Sequence, residues 1–156
     1  MEIKEIMEAF AARAGVTDFA PDEEGVYHFG FDDMRVTFAE AGGRLLTLAE
    51  VGEVPPEGRE RLYGVLLESM FLGGQTKGAS FALDAETNLL YLQRFDALEA
   101  LSHDGFRAML EEFVHVLEDW RGIVSDFRDA APGQVRAAKA AAKESRELSF
   151  GDFMRV

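Results

Sequence analysis

The sequence predicts an α+β fold with a mainly antiparallel sheet, and three observations carry that expectation. Apolar residues first recur with helical spacing, at Ile3, Ile6, Met7 and Phe10. From about Val26 the period falls to two and stays there for three short runs. Two further runs of that kind lie between helical stretches, which gives the order α-βββ-α-ββ-α.

Each element has its own local reason. Glu2 to Ala14 is the first helix, and Gly15 supplies its stop. A loop containing Pro21 leads into strands at Val26 to Phe31, Met34 to Glu40 and Leu45 to Val51, turned at Asp32-Asp33 and Gly42-Gly43. Pro55-Pro56 ends this meander. Glu57 to Leu72 is a second helix with Leu62, Val65, Leu66 and Met70 on one side, and Gly73-Gly74 is its expected cap. Ala79 to Leu83 and Leu89 to Phe95 form a hairpin around Asp84–Asn88. Ser102 is the expected N-cap of a long helix reaching about Ser125. Phe106, Met109, Leu110, Phe113, Val114, Leu117, Trp120 and Val124 are its apolar stripe.

The short turns fix a register. A two-residue turn at Asp32-Asp33 sets Phe31 against Met34, Phe29 against Val36 and Tyr27 against Phe38, all on the face that must be core. Carried through Gly42-Gly43, the register sets Ala39 against Leu46, Thr37 against Leu48 and Arg35 against Glu50 on the opposite face. That face also holds Val26 and His28. It is mostly polar, so Leu46 and Leu48 need a cover: a helix of the same chain or a partner.

Beyond Ser125 the character changes. Pro132-Gly133 breaks the chain, and Gln134 to Glu147 is Ala-rich with strong helix propensity but few core-forming side chains. Leu148, Phe150, Phe153, Met154 and Val156 then make a terminal apolar cluster, a candidate for docking back onto the body. Residues 1–125 are therefore expected to form the main domain and 126–156 a C-terminal extension.

Composition excludes several classes. Lys and Arg number 16 against 29 Asp and Glu, a net charge of −13, which opposes binding to phosphate-bearing nucleic acid. Residues 1–125 hold 10 basic and 24 acidic side chains; residues 126–156 hold 6 and 5. An acidic body suits solubility and basic partners. There is no cysteine, hence no thiolate nucleophile and no cysteine-ligated metal. No signal peptide and no membrane-spanning run is evident, so the expected location is the cytoplasm.

No catalytic constellation emerges either. Gly73-Gly74-Gln75-Thr76-Lys77-Gly78 has the glycines of a phosphate loop, but a helix precedes it, a strand follows, and Gly78 stands where Ser or Thr should be. His28, His103 and His115 fall in separate elements without metal-ligand spacing. Asp32-Asp33 and Asp22-Glu23-Glu24 lack the alternating oxygens of a calcium loop and read as turn chemistry and a solvated edge. No metal, cofactor or ATP is expected.

The segment Leu66–Phe95 followed by the helix Asp104–Val124 resembles the Tir-chaperone (CesT-type) family of type III secretion chaperones. The likeness is carried by Gly73, Gly74 and Gly78, by Leu83-Asp84, by Gln93-Arg94, and by Phe113 with Trp120-Arg121. It covers about Met1 to Ser125. The resemblance implies a cofactor-free homodimer whose partner is a secreted effector, bound through an extended N-terminal chaperone-binding segment. For partner binding the candidates are Met7, Phe10, Val26, Leu46 and Leu48. For dimerisation they are Leu62, Leu66, Met70, Leu90 and Leu92. A second reading is a dimeric adaptor or regulatory module of the same fold with no secretion role. An enzyme would need a pocket gathering carboxylates around His28 or His115, which the spacing does not suggest.

Overall fold

The computed structural model describes residues 1–129; the Ala-rich segment and the cluster Leu148, Phe150, Phe153 and Met154 lie outside the described residues. The elements are α1 (Ile3–Ala14), β1 (Tyr27–Phe31), β2 (Met34–Ala41), β3 (Arg44–Glu53), α2 (Arg59–Ser69), β4 (Ser80–Asp84), β5 (Leu89–Ala97) and α3 (His103–Asp129). Short 3-10 turns at Phe71–Gly73 and Leu98–Ala100 follow α2 and β5. The order α-βββ-α-ββ-α expected from periodicity is the observed order. The five strands form a sheet in the order β1-β2-β3-β5-β4.

The chain forms two compact units, Met1–Glu50 with Gln93–Glu112, and Val51–Leu92 with Phe113 onward. In the first, β1 and β2 pair antiparallel with Tyr27↔Phe38, Phe29↔Val36 and Phe31↔Met34. β2 and β3 pair with Thr37↔Leu48 and Ala39↔Leu46. These are the registers that the turn residues dictate. Gly42 and Gly43 both take positive φ, 60° and 73°, as a two-residue hairpin with the right twist requires. The inner face holds Tyr27, Met34, Val36, Phe38, Leu45 and Ala49, all buried; Phe38 meets the Phe106 ring, and Ile6 and Met7 of α1 are fully buried.

α1 starts on a capping box. The Glu2 side chain accepts from the third helical N–H while Glu5 accepts from the Glu2 N–H, and the helix ends at Gly15 in a left-handed conformation. The Ser102 hydroxyl accepts from Gly105 N–H at 3.0 Å at the start of α3, as an N-cap should. α3 continues through Ser125 to Asp129, beyond the expected end, because Phe127 extends its buried stripe by one turn.

In the second unit, Val54 N–H donates to Asn88 C=O at 3.0 Å, and the Asn88 amide donates to Val54 C=O at 3.1 Å. Arg59 Nη2 donates to the Asn88 side-chain oxygen at 3.1 Å, which ties the start of α2 to the turn before β5. Leu62, Val65, Leu66 and Ser69 are the buried stripe of α2. The helix ends at Ser69, three residues before the expected Leu72. Met70 caps it, and Leu72 turns left-handed at φ 56° within the 3-10 turn that follows, ahead of the Gly73-Gly74 pair. Trp120 is buried and meets Phe81 edge-on at 5.1 Å, with an interplanar angle of 71°.

Candidate partner-binding surface

β1 is a terminal strand of the sheet, so among the described residues one of its edges has no strand beside it. Its polarity follows from the two-residue turn. Phe31 and Met34 flank that turn, so Phe31, Phe29 and Tyr27 direct their N–H and C=O groups toward β2. Val26, His28 and Gly30 then direct theirs outward. Those of Val26 are taken: Asp22 N–H donates to its carbonyl at 2.9 Å, and its N–H donates to Asp22 Oδ1 at 2.9 Å. The outward groups of His28 and Gly30 have no partner among the described residues. Two donors and two acceptors thus stand open at strand spacing, the arrangement that accepts an added strand.

Asp22 closes the upstream end of this edge. Its Oδ1 also accepts from Glu24 N–H at 3.0 Å, and its Oδ2 lies 3.0 Å from His28 Nε2. His28 Nδ1 is 3.1 Å from the Thr37 hydroxyl on β2, so the imidazole spans from the loop to the sheet. The Val26 N–H is the largest cause holding the Asp22 carboxyl below its ordinary range, followed by the His28 side chain.

Beside the open edge runs a row of aromatic rings. Phe106 and Phe38 sit at its buried end, 5.6 Å apart. Phe10 on α1 packs edge-on to Phe106 at 5.5 Å and to Phe29 at 4.9 Å. Phe29 meets Phe31 at 4.8 Å, and Phe19 from the loop meets Phe29 at 5.7 Å. Phe10, Phe19, Phe29 and Phe31 are all half-buried, so the row opens to the surface alongside β1. An edge strand lacks the flanking strand that would cover such rings, which is why core-patterned residues remain accessible here.

The other sheet face is shallower. Val26, Leu46 and Leu48 are half-buried, and Arg44 lays its guanidinium 4.6 Å over the ring of Phe95, which is 40% exposed. A groove of about 840 Å³ near the start of α1 and the β2–β3 turn is lined by side chains of both signs, including Lys4, Arg44, Glu2 and Glu99. Among the described residues no group of three or more His, Asp or Glu side chains is placed to hold a metal.

Several candidate residues change role. Met7 is fully buried and belongs to the core, with no surface to offer a partner; Phe10 is the member of α1 that reaches the aromatic row. Leu62, Leu66, Leu90 and Leu92 are at most 3% exposed and pack inside their own chain. Met70 is half-buried, and its sulfur accepts from Phe81 N–H at 3.3 Å. Among the described residues, the exposed large apolar side chains of this unit are instead Leu67 at 66%, Phe71 and Leu72 at 53% each, and Leu83 at 43%. The stripe at i, i+3, i+4 on α2 is its core side, and the surface patch lies on its other side and on the following turn. Phe19, Phe29 and Phe31 were not among the candidates. Alternation alone assigns Phe29 and Phe31 to the core, and Phe19 stands in an aperiodic loop.

The residues that carried the sequence resemblance are architectural. Arg94 donates to Asp96 at 2.9–3.1 Å and lies 3.9 Å from Glu112. Asp84 accepts from Glu86 N–H and the Thr87 hydroxyl, which hold its carboxyl below the ordinary range, the hydroxyl foremost. Gly73 and Gly78 approach within contact distance in the loop before β4, where a Cβ on Gly73 would lie 3.6 Å from Gly78 N.

Comparison with known proteins bears on the family and the fold. Residues 5–121 match the model of the Tir chaperone protein (CesT) family. The chain is 25% identical over 122 residues to a Chlamydia pneumoniae protein, an alignment covering 76% of this chain and 92% of the relative. Its fold is similar to one chain of the ExsC–ExsE complex, with TM-score 0.66 and 25% identity, covering 78% of this chain and 92% of that one. It is also similar to a chain of the HopA1–SchA chaperone–effector complex, with TM-score 0.61 and 18% identity, covering 76% and 92%. A third similar structure contains the Yersinia pestis type III secretion chaperone SycH with a fragment of YscM2. Its TM-score is 0.58 at 19% identity, with 74% of this chain and 97% of that chain covered. Among the described residues no helix is long and apolar enough to cross a membrane.

Proposed function

The chain belongs to the Tir chaperone protein (CesT) family, and from that premise we propose that it is a non-enzymatic type III secretion chaperone. It binds an extended N-terminal segment of a secreted effector and keeps it soluble and ready for export, in the cytoplasm and without cofactor or ATP. The observation that carries this reading is the open edge of β1, where the backbone groups of His28 and Gly30 face outward beside the half-exposed rings of Phe10, Phe29 and Phe31. Strand addition uses main-chain bonds for affinity and side-chain pockets for choice, so it holds a chain that has no fold of its own. Leu46 and Leu48 on the opposite sheet face supply a second apolar strip for the same client.

The active species is a homodimer whose contact surface draws on the exposed side chains of Leu67, Phe71, Leu72 and Leu83. These replace the buried leucines as the side chains available to a second copy. The family match ends at residue 121, which supports treating residues 126–156 as an extension to the chaperone domain.

The test is co-expression with N-terminal fragments of the secreted proteins of its host, followed by hydrogen exchange on any complex. A fragment that co-purifies and slows exchange at Tyr27–Phe31 supports the proposal. If no fragment co-purifies, or if protection falls wholly outside β1 and the aromatic row, the proposal fails.

A further inference from the structure

We infer that the open edge of β1 selects an extended partner segment with an apolar residue at its centre and Lys or Arg about three residues to either side. This deepens the strand-addition reading and rests on it.

The two ends of the edge are acidic. Upstream, Asp22 is folded onto Val26, three residues before Phe29, with Glu23 and Glu24 exposed beside it. Downstream, Asp32 occupies the turn at φ 52°, three residues after Phe29, with exposed Asp33 next to it. Between them the strand carries no Asp, Glu, Lys or Arg. Because Asp22 fills the outward positions of Val26, only His28 and Gly30 can pair with an incoming strand. That is too short a ladder to specify a partner by backbone bonds alone, so side chains must choose.

The side-chain surroundings differ along the strand. A residue added opposite Phe29 directs its side chain to the same side as Phe29, toward the aromatic row, and should be apolar. Opposite Gly30 the neighbouring face is open, since a Cβ placed on that glycine would meet nothing within 4 Å. Residues reaching past Val26 and Phe31 enter the acidic ends, where a cation is attracted and a carboxylate repelled. Residues 1–129 carry 26 acidic and 11 basic side chains, so the surrounding field adds to the local preference.

The probe is a labelled peptide, Lys-Thr-Thr-Leu-Thr-Thr-Lys, compared with the same peptide carrying Glu at both ends. Binding to the full chain is read from the amide signals of His28 and Gly30 at low and high salt. The Lys peptide is expected to shift those amides and to bind about tenfold more tightly than the Glu peptide at low salt, with the gap closing as salt screens the charges. The double variant Asp22→Asn, Asp32→Asn keeps a side-chain oxygen for the Val26 N–H and tolerates the left-handed turn, yet removes both charges. In that variant the preference should shrink by roughly two- to fivefold per lost pair.

Equal binding of the two peptides at the edge overturns the charge preference while strand addition stands, as does a preference left undiminished in the double variant. If neither peptide perturbs β1, the strand-addition reading fails with it. A peptide of residues 146–156 of this chain is run alongside. Tighter binding of that peptide than of the Lys probe would assign the edge to the chain itself and overturn a separate partner.

Discussion

The carboxylate of Asp22 and the backbone of Val26 form a closed pair: Val26 N–H donates to Asp22 Oδ1 while Asp22 N–H donates to the Val26 carbonyl, both at 2.9 Å. A single side chain therefore ends the exposed ladder of an edge strand, in the way that covered or capped edges limit unwanted pairing elsewhere. Downstream of it the edge is open for two outward positions.

This pair predicts a pH response. The Asp22 carboxyl sits below its ordinary value of 3.8, chiefly through the Val26 N–H and next through His28. A depressed carboxylate contributes stability that is present above its unfolded pKa and is lost as pH falls through the lower folded value. The loop 22–26 should thus stay closed at neutral pH and open only below about pH 4. The amide shift of Val26 followed between pH 7 and 2 checks this. A transition centred above the ordinary carboxylate range would contradict it. Asp22→Ala should free the Val26 N–H at every pH, whereas Asp22→Asn should keep the bond and abolish the acid transition.

The aromatic row predicts a separation of stability from binding. Phe10 touches Phe19, Phe29 and Phe106, so Phe10→Ala should leave a cavity costing about 2–4 kcal/mol in denaturant unfolding. Phe31 touches Phe29 at the open end of the row, so Phe31→Ala should cost about 1 kcal/mol or less yet weaken client capture. Equal stability losses for the two would mean that the row is simply core.

Much of this was legible in the sequence for a physical reason: two-residue turns and period-two alternation fix register locally. Asp32-Asp33 sets Phe31 against Met34, and Gly42-Gly43 sets Ala39 against Leu46, without reference to anything distant. What was hidden depends on long-range pairing. That β1 is terminal follows only from the order of five strands, and that openness turns Phe29 and Phe31 from core residues into accessible ones. Met7 and Phe10 share one apolar stripe, yet the first is sealed and the second borders the surface. Apolar spacing on α2 marked the right side chains for burial but could not say whether their cover was the chain itself or a second copy. The end of α2 was misplaced because the chain passes from Met70 into a 3-10 turn in which Leu72 takes a left-handed φ that a Leu rarely adopts, where glycine was the expected terminator.

The outer sheet face gives a third prediction. Leu48 is half-buried and pairs with Thr37, so Leu48→Glu introduces a charge that can still reach water. The fold should survive, with stability changed by about 1 kcal/mol or less. Client affinity should drop at least about tenfold if the strip of Leu46 and Leu48 lies under the client, since an apolar contact would become an unpaired carboxylate. Unchanged affinity in calorimetry would remove this face from the binding surface.

The sharpest contrast lies between neighbours on α2. Leu66 is 3% exposed and Leu67 is 66% exposed, although they are adjacent and chemically identical. Leu66→Ala should cost about 2–5 kcal/mol in any oligomeric state, because it hollows the core of its own unit. Leu67→Ala should leave a monomer within about 0.5 kcal/mol of the parent, because it removes only surface. If Leu67, Phe71 and Leu72 join two copies, Leu67→Glu places a carboxylate in an apolar contact and should shift dimer to monomer without unfolding. Light scattering coupled to size exclusion reads the mass, and circular dichroism checks that the fold is kept. A dimer as stable as the parent in Leu67→Glu would move the interface off this side of α2. A parent chain that is monomeric at every concentration would remove it altogether, leaving the exposed leucines and Phe71 to be explained by the client.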